Sequence, residues 1–198
     1  MTGQQELEWK TRKERIDRKL QNLSQPWKII KYKEGLDISK LTNHAVEEYP
    51  TKNGPADYVL FVKGKLLGII EGKKVGVGPQ NVLEQAKRYS RGVENGIGNW
   101  RGYRVPFLFA SNGEVIYYLD VRNEINLSRK ISNFHTPDAL EEFYNLDKTQ
   151  CFKWFKEHPI VDEKIRPYQK EAVEATEEAI AKGKRAMLIA MATGTGKT

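Results

Sequence analysis

The sequence predicts an α/β sandwich, in which a mixed sheet is covered by helices on both sides. Three observations carry that expectation. Residues 59–62 and 66–70 form two runs that are apolar on both faces, as in strands central to a sheet with helices above and below. Stretches with helical periodicity alternate with β-branched and aromatic runs along the chain. The 198 residues are 39% hydrophobic and include four Trp, nine Tyr and seven Phe, which excludes a disordered chain.

Each element follows from local chemistry. Trp9, Ile16, Leu20 and Leu23 recur near a 3.6 period, and Thr2 and Gln5 have capping-box spacing, so a helix opens the chain and Pro26 closes it. Residues 27–32, Trp-Lys-Ile-Ile-Lys-Tyr, read as a strand, and a short helix is expected over 39–48. Residues 54–74 read as a hairpin turning at Lys63-Gly64-Lys65, with a helix from Pro79 to Val93 after it. Two more strands meet at Ser111-Asn112-Gly113, where Asn-Gly marks a tight turn. Thr136-Pro137-Asp138 supplies an N-cap, a proline at the first helical position and an early acid, opening a helix through Tyr144. The composition shifts near Glu157-His158-Pro159. Beyond it come a helix over 168–182, an apolar strand over 187–191 and a glycine-rich end. Residues 1–158 are therefore expected to form one domain and residues 159–198 a fragment of a second.

The net charge of +7 suits a polyanionic partner without requiring one. No apolar run approaches the roughly 18 residues that span a bilayer, so no membrane partner is expected. The N-terminus lacks an apolar signal core and Cys151 has no second cysteine to pair with, so a reducing, cytoplasmic location is expected. His44, His135 and His158 lack zinc-ligand spacing.

Asp57, Glu71 and Lys73 are the residues with chemistry to offer. Glu71 and Lys73, two apart in a strand, project from one face. Asp57 joins them only in one register: a three-residue loop, or an equivalent bulge, sets Asp57 opposite Glu71, whereas a two-residue loop alone pairs it with Ile70. Two converging carboxylates then suit Mg²⁺, a hard cation that keeps several waters and accepts phosphate oxygens, with the Gly72 carbonyl completing the coordination. Lys73 would orient or help deprotonate an attacking water, which makes phosphodiester hydrolysis the expected reaction. An acid-x-Lys tripeptide alone equally describes a solvated strand end. Its context, an apolar strand with an acid after Gly-Pro-Ala at the hairpin's other end, favours the site. Gln85 and Tyr89, at i and i+4 of the next helix, share a face, which also describes an ordinary amphipathic edge.

These residues together, Gly-Pro-Ala-Asp…Ile-Ile-Glu-Gly-Lys and then Gln85-x-x-x-Tyr89, resemble the PD-(D/E)xK nuclease superfamily. They resemble most the N-terminal endonuclease domain of the R (HsdR) subunit of type I restriction-modification enzymes. The match to Pro-Asp carries an inserted alanine, Pro55-Ala56-Asp57. Glu8-Trp9-Lys10-Thr11-Arg12 resembles the first helix of that family, which implies a supporting role for Glu8 near the metal. The resemblance implies a restriction-endonuclease-like fold, with Gln85 and Tyr89 among the site residues. It also implies a type I site-specific deoxyribonuclease that cuts double-stranded DNA in a Mg²⁺-dependent reaction, alongside modification and specificity subunits.

Arg166-Pro167-Tyr168-Gln169 and the terminal Thr193-Gly194-Thr195-Gly196-Lys197-Thr198 form a second constellation. Glycine-rich backbone N–H groups cradle phosphates, Lys197 reaches the β/γ-phosphates, and the Thr198 hydroxyl can ligate Mg²⁺. The pair resembles a superfamily 2 helicase, in which Gln169 would read adenine and Gly194 and Gly196 would line the phosphate loop. This implies the start of a RecA-like motor that uses ATP in the full-length protein. The sequence stops at the loop, so the chain itself is expected neither to bind ATP tightly nor to hydrolyse it, and residues from about 162 are expected to be poorly anchored. The glycine-rich 92–104 loop, with Arg101 and Arg104, and the Arg129-Lys130 pair are either DNA contacts or solvated surface. A repair nuclease–helicase fusion and a DNA-binding assembly module are the competing readings.

Overall fold

The computed structural model describes residues 9–74, 83–124, 126–146, 148–184, 186–192 and 194, which fall in two compact units, Met1–Asn145 and Leu146–Thr198. In the first unit, a π-helical turn, Arg12–Ile16, runs into helix α1 (Asp17–Gln21). Strands β1 (Lys28–Lys31), β2 (Asn43–Tyr49), β3 (Ala56–Val62) and β4 (Lys65–Gly72) follow, and then helix α2 (Leu83–Gly92). Strands β5 (Phe107–Ser111), β6 (Ile116–Asp120) and β7 (Arg129–Ile131) lead to helix α3 (Pro137–Asn145). The seven strands lie side by side in chain order, with β1·β2 and β4·β5 parallel and the other pairs antiparallel.

Side-chain alternation on the central strands divides the core into two layers. Val59, Phe61, Ile69 and Leu108 pack with Leu83 and Ala86 of α2 on one side. Tyr58, Leu60, Ile70, Phe107 and Phe109 pack with Ile16, Leu20 and Leu140 on the other. This is the sheet covered on both faces that the apolar runs predict. The α3 cap also forms as expected, with Thr136 Oγ1 accepting from Ala139 N at 3.2 Å.

Several expectations are corrected. The helix expected over 39–48 is a short 3₁₀ turn, Ile38–Lys40, followed by strand β2. Leu41, Ala45, Val46 and Tyr49 have the spacing of a helical stripe, but pairing with β1 and β3 overrides it, and Ala45 and Val46 are buried in opposite layers. Residues 129–131 and 148–157 form elements not foreseen, β7 and helix α4 (Lys148–Glu157). The strand expected over 187–191 is absent among the described residues, where the backbone is irregular and Leu188 is 94% exposed. Helix α5 (Pro167–Ala181) forms close to its expected span.

The β3–β4 register settles the question that the hairpin left open. The turn has two residues, Lys63 and Gly64, both at positive φ (48° and 75°), not three. From Val62↔Lys65 and Phe61↔Leu66, the register slips by one at a bulge beside Leu60, then continues as Leu60↔Gly68, Val59↔Ile69 and Tyr58↔Ile70. One step further, Asp57 stands across from Glu71. The equivalent bulge, not the loop, produces the register the site needs.

Candidate active site

Asp57 lies near the start of β3, Glu71 and Gly72 end β4, and Lys73 follows directly. Both Asp57 oxygens are engaged. Oδ2 accepts from Gly72 N at 2.7 Å, and Oδ1 accepts from Arg12 Nη1 at 2.6 Å. Gly72 thus contributes its N–H to the carboxylate. It is also the point at which the first helix closes on the sheet, since a Cβ there would meet Ile16 Cδ1 at 3.0 Å and Arg12 Cγ at 3.2 Å. Glu71 is 2% exposed, and Lys73 Nζ donates to its Oε1 at 3.0 Å. A carboxylate so stripped of water is tolerable only with positive charge against it, which Lys73 supplies.

By resemblance the first helix was expected to support the site through Glu8, but the contact that Arg12 makes with Asp57 was not legible. Arg12 bridges Asp57 and Glu48, bonding Glu48 Oε1 at 2.5 Å. Lys13, the next residue, pairs with Glu47 and with Asp17, and Tyr58 donates to Asp17 Oδ1 at 2.6 Å. Burial works against the Arg12 charge, but Asp57 and Glu48 outweigh it and hold the guanidinium above its ordinary value. Lys13 is likewise raised: burial lowers it, but hydrogen bonds to Glu47 and Asp17 prevail. Burial, followed by the bond to Asp17, pushes the Tyr58 hydroxyl up. The π-turn itself is a local irregularity of a kind that gathers at functional sites. No sequence pattern links Arg12 to Asp57, 45 residues away. The only trace was that Arg12 sits in the segment that resembles the family's first helix.

Gln85 and Tyr89 share one side of α2, and Gln85 Nε2 donates to Tyr89 Oη at 2.8 Å. Tyr89 is 5% exposed and belongs to the α2-side core, so its ring packs while its hydroxyl holds the glutamine. Glu8 lies outside the described residues, as do Gly196, Lys197 and Thr198. Gly194 has φ +78°, a left-handed backbone that glycine adopts without steric cost. Gln169 accepts from Arg166 N at 2.9 Å, so its side chain caps the start of α5. Arg101 Nη2 donates to Val121 O at 2.9 Å, and the Arg129 guanidinium sits 5.3 Å from the Tyr118 ring centre.

The described residues hold no cluster of three His, Cys, Asp or Glu placed to grip a metal ion. Asp57 and Glu71, on neighbouring strands in the register that opposes them, form a sparse all-oxygen set. That set fits a hard divalent ion that retains most of its waters, and not a metal that seeks imidazole or thiolate.

Comparisons with known proteins bear on both units. Residues 27–144 match the family model described as the second domain of the type I restriction enzyme EcoKI endonuclease subunit. Residues 162–198 match that of the type III restriction enzyme res subunit. The chain is 30% identical over 216 residues to the EcoKI endonuclease subunit of Escherichia coli (strain K12), covering 86% of this chain and 18% of that protein. It is 31% identical over 159 residues to the EcoAI endonuclease subunit of Escherichia coli, covering 72% of this chain and 18% of the relative. The chain therefore spans about a fifth of the length of these curated relatives. A solved fragment assigned to an HsdR subunit of a type I restriction enzyme from Vibrio vulnificus YJ016 aligns with TM-score 0.49 at 21% identity, over 96% of this chain and 36% of that one.

Proposed function

The chain belongs to the family of type I restriction enzyme endonuclease subunits, and from that premise we propose that residues 1–158 are a nuclease domain that hydrolyses phosphodiesters of double-stranded DNA with Mg²⁺. Residues 159–198 are the first edge of the ATP-driven translocase that the full-length protein uses. The observation that supports this reading is the bulge-set register, which opposes Asp57 and Glu71, with Lys73 directly after the end of β4 and bonded to Glu71 Oε1. Asp57 and Glu71 hold the cation. When bound, Mg²⁺ supplies Lewis acidity at the phosphate and a more acidic water. Lys73 orients the attacking water and offsets negative charge as water adds to phosphorus and one ester P–O bond breaks. Gln85 positions the backbone or leaving group from α2, fixed by its bond to Tyr89. Glu8 supports the site from the N-terminal helix. Modification and specificity subunits are the partners, working in the cytoplasm.

The test is cleavage of supercoiled plasmid with Mg²⁺ or Mn²⁺, by the chain itself and by the subunit reconstituted with its modification and specificity partners. We expect Asp57→Ala and Lys73→Ala to cut at least about 100-fold more slowly than wild type, the scale of a lost catalytic group. Equal rates in all three proteins would refute the assignment. DNA binding by the complex with no cutting under any divalent cation would favour an assembly module.

A further inference from the structure

Arg12 does more than dock the first helix. Its Nη1 is shared between two carboxylates, Asp57 Oδ1 at 2.6 Å and Glu48 Oε1 at 2.5 Å. Its Nε is buried without a hydrogen-bond partner among the described residues. A guanidinium normally engages a carboxylate through two parallel N–H bonds, so sharing one nitrogen and idling another is a compromise between two partners. The β2–β3 pairs Glu47↔Tyr58 and Tyr49↔Ala56 set Glu48 across from Asp57, and the β3–β4 register sets Asp57 across from Glu71. The three acids thus form one row over adjacent strands. Glu48 holds its place at φ +54°, a left-handed conformation that costs a non-glycine residue energy.

We propose that Arg12 is the placeholder for the divalent cation: it neutralises Asp57 while the site is empty and passes to Glu48 as the cation binds. This rests on the nuclease reading above and adds how the site is regulated. A divalent cation on Asp57 and a guanidinium hydrogen-bonded to the same carboxylate repel each other at close range, so cation binding favours release of Arg12. Glu48 already shares the same nitrogen, so the transfer needs a short swing and leaves no charge stranded. Glu48 has 39% of its side chain exposed against 16% for Asp57, so the displaced guanidinium moves toward water rather than deeper. The competition sets the cation concentration at which the nuclease is armed. Arg12 acts through Asp57 and is a positioning residue.

The experiment is calorimetric titration of the chain with Mn²⁺, with thermal unfolding as the control for folding. Arg12→Gln removes the competitor and is expected to tighten Mn²⁺ binding about tenfold, the order of one partly buried ion pair. Glu48→Gln removes the receiver and is expected to weaken binding about threefold. The double variant should match Arg12→Gln alone. A residue that only supported the fold could loosen the site but would not give opposite signs at Arg12 and Glu48. Unchanged or weaker binding in Arg12→Gln overturns the proposal. If that variant does not fold, Glu48→Gln decides, and unchanged or tighter binding overturns it. If wild type binds no measurable Mn²⁺, binding by Arg12→Gln alone supports the handover, and no binding by either overturns it. The nuclease reading fails separately: Mn²⁺ binding that survives both Asp57→Asn and Glu71→Gln places the cation elsewhere. Loss in those two variants with no gain in Arg12→Gln defeats the handover only.

Discussion

The two units handle similar apolar material in opposite ways. In Met1–Asn145, the sheet separates two layers in which Trp27, Tyr58, Phe61, Phe107 and Phe109 are all fully or almost fully buried. In Leu146–Thr198, no described residue is buried, and Trp154, Val161, Leu188 and Ile189 are more than half exposed. Both units nonetheless carry legible motifs. A motif is a local pattern of residues that will meet a ligand, whereas a core requires distant segments to cover one another. The first unit has partners for every strand of its sheet. The second has one long helix, α5, whose Tyr168, Ala172, Ala175 and Ala179 face the irregular 187–192 segment across an open cavity.

The sharpest way to break this contrast is amide hydrogen exchange. Amides of β3, β4 and β5 should exchange only through global unfolding, whereas those over 186–192 should exchange near the rate of an unstructured peptide. For a domain of ordinary stability, the gap is at least about a thousandfold. Comparable protection in the two regions would mean that the second unit is held by contacts of its own. A smaller version of the contrast uses side chains. Phe109, with no exposure and rings of Tyr118, Phe134 and His135 within 5.8 Å of its own, should cost about 3–5 kcal/mol as Phe109→Ala. Leu188→Ala, at 94% exposure, should stay within about 0.5 kcal/mol in the same denaturant titration.

How much could be read beforehand follows from the range of each interaction. The central strands were legible because both-face apolarity is a property of consecutive residues. Asp57, Glu71 and Lys73 were legible because the hairpin keeps them close in sequence. Strand β2 was misread because Leu41, Ala45, Val46 and Tyr49 satisfy a helical spacing locally, and only the flanking strands decide otherwise. Arg12 and Glu48 were not legible as part of the site, since their meeting with Asp57 depends on where the π-turn lands against Gly72. The bulge was foreseen only as an alternative to a longer loop, because nothing in Leu66-Leu67-Gly68 announces which residue will be extra.

The first unit also carries a pH dependence at a partly buried histidine. His135 is ringed by Phe109, Tyr118 and Phe143, and its Nδ1 is buried without a partner among the described residues. Burial, with a smaller contribution from the Arg129 charge, pulls its pKa down to about 4. In the unfolded chain, the imidazole titrates near 6.5, so between those values the unfolded state binds a proton that the native state refuses. Its contribution is therefore complete above about pH 6.5 and drains away as the pH falls toward 4. Discounted for partial exposure, the loss is about 2 kcal/mol or less. His135→Gln, neutral throughout, should flatten that part of the stability profile in chemical denaturation at pH 7, 5.5 and 4.5. An unchanged slope would show that His135 does not carry the acid sensitivity.

A last, small effect separates turn from register within the site's own hairpin. Gly64 sits at φ +75°, a backbone that strains any side chain, while a Cβ there would only touch Ser39 Cα and its carbonyl oxygen at 3.4 Å, so Gly64→Ala should cost about 1 kcal/mol. If the turn set the register, that strain would reach Asp57 and Glu71 and weaken cation binding. The ladder argues otherwise. Three pairs beyond the bulge, Leu60↔Gly68, Val59↔Ile69 and Tyr58↔Ile70, lie between the turn and the site. A one-residue slip there would turn every buried side chain of β4 to the wrong layer. Strain at the tip is therefore absorbed at the tip, and Gly64→Ala should lower the melting temperature while leaving Mn²⁺ affinity as in wild type. A parallel loss of both would show that the bulge beside Leu60 depends on the turn, and that the hairpin's geometry is set from its tip inward.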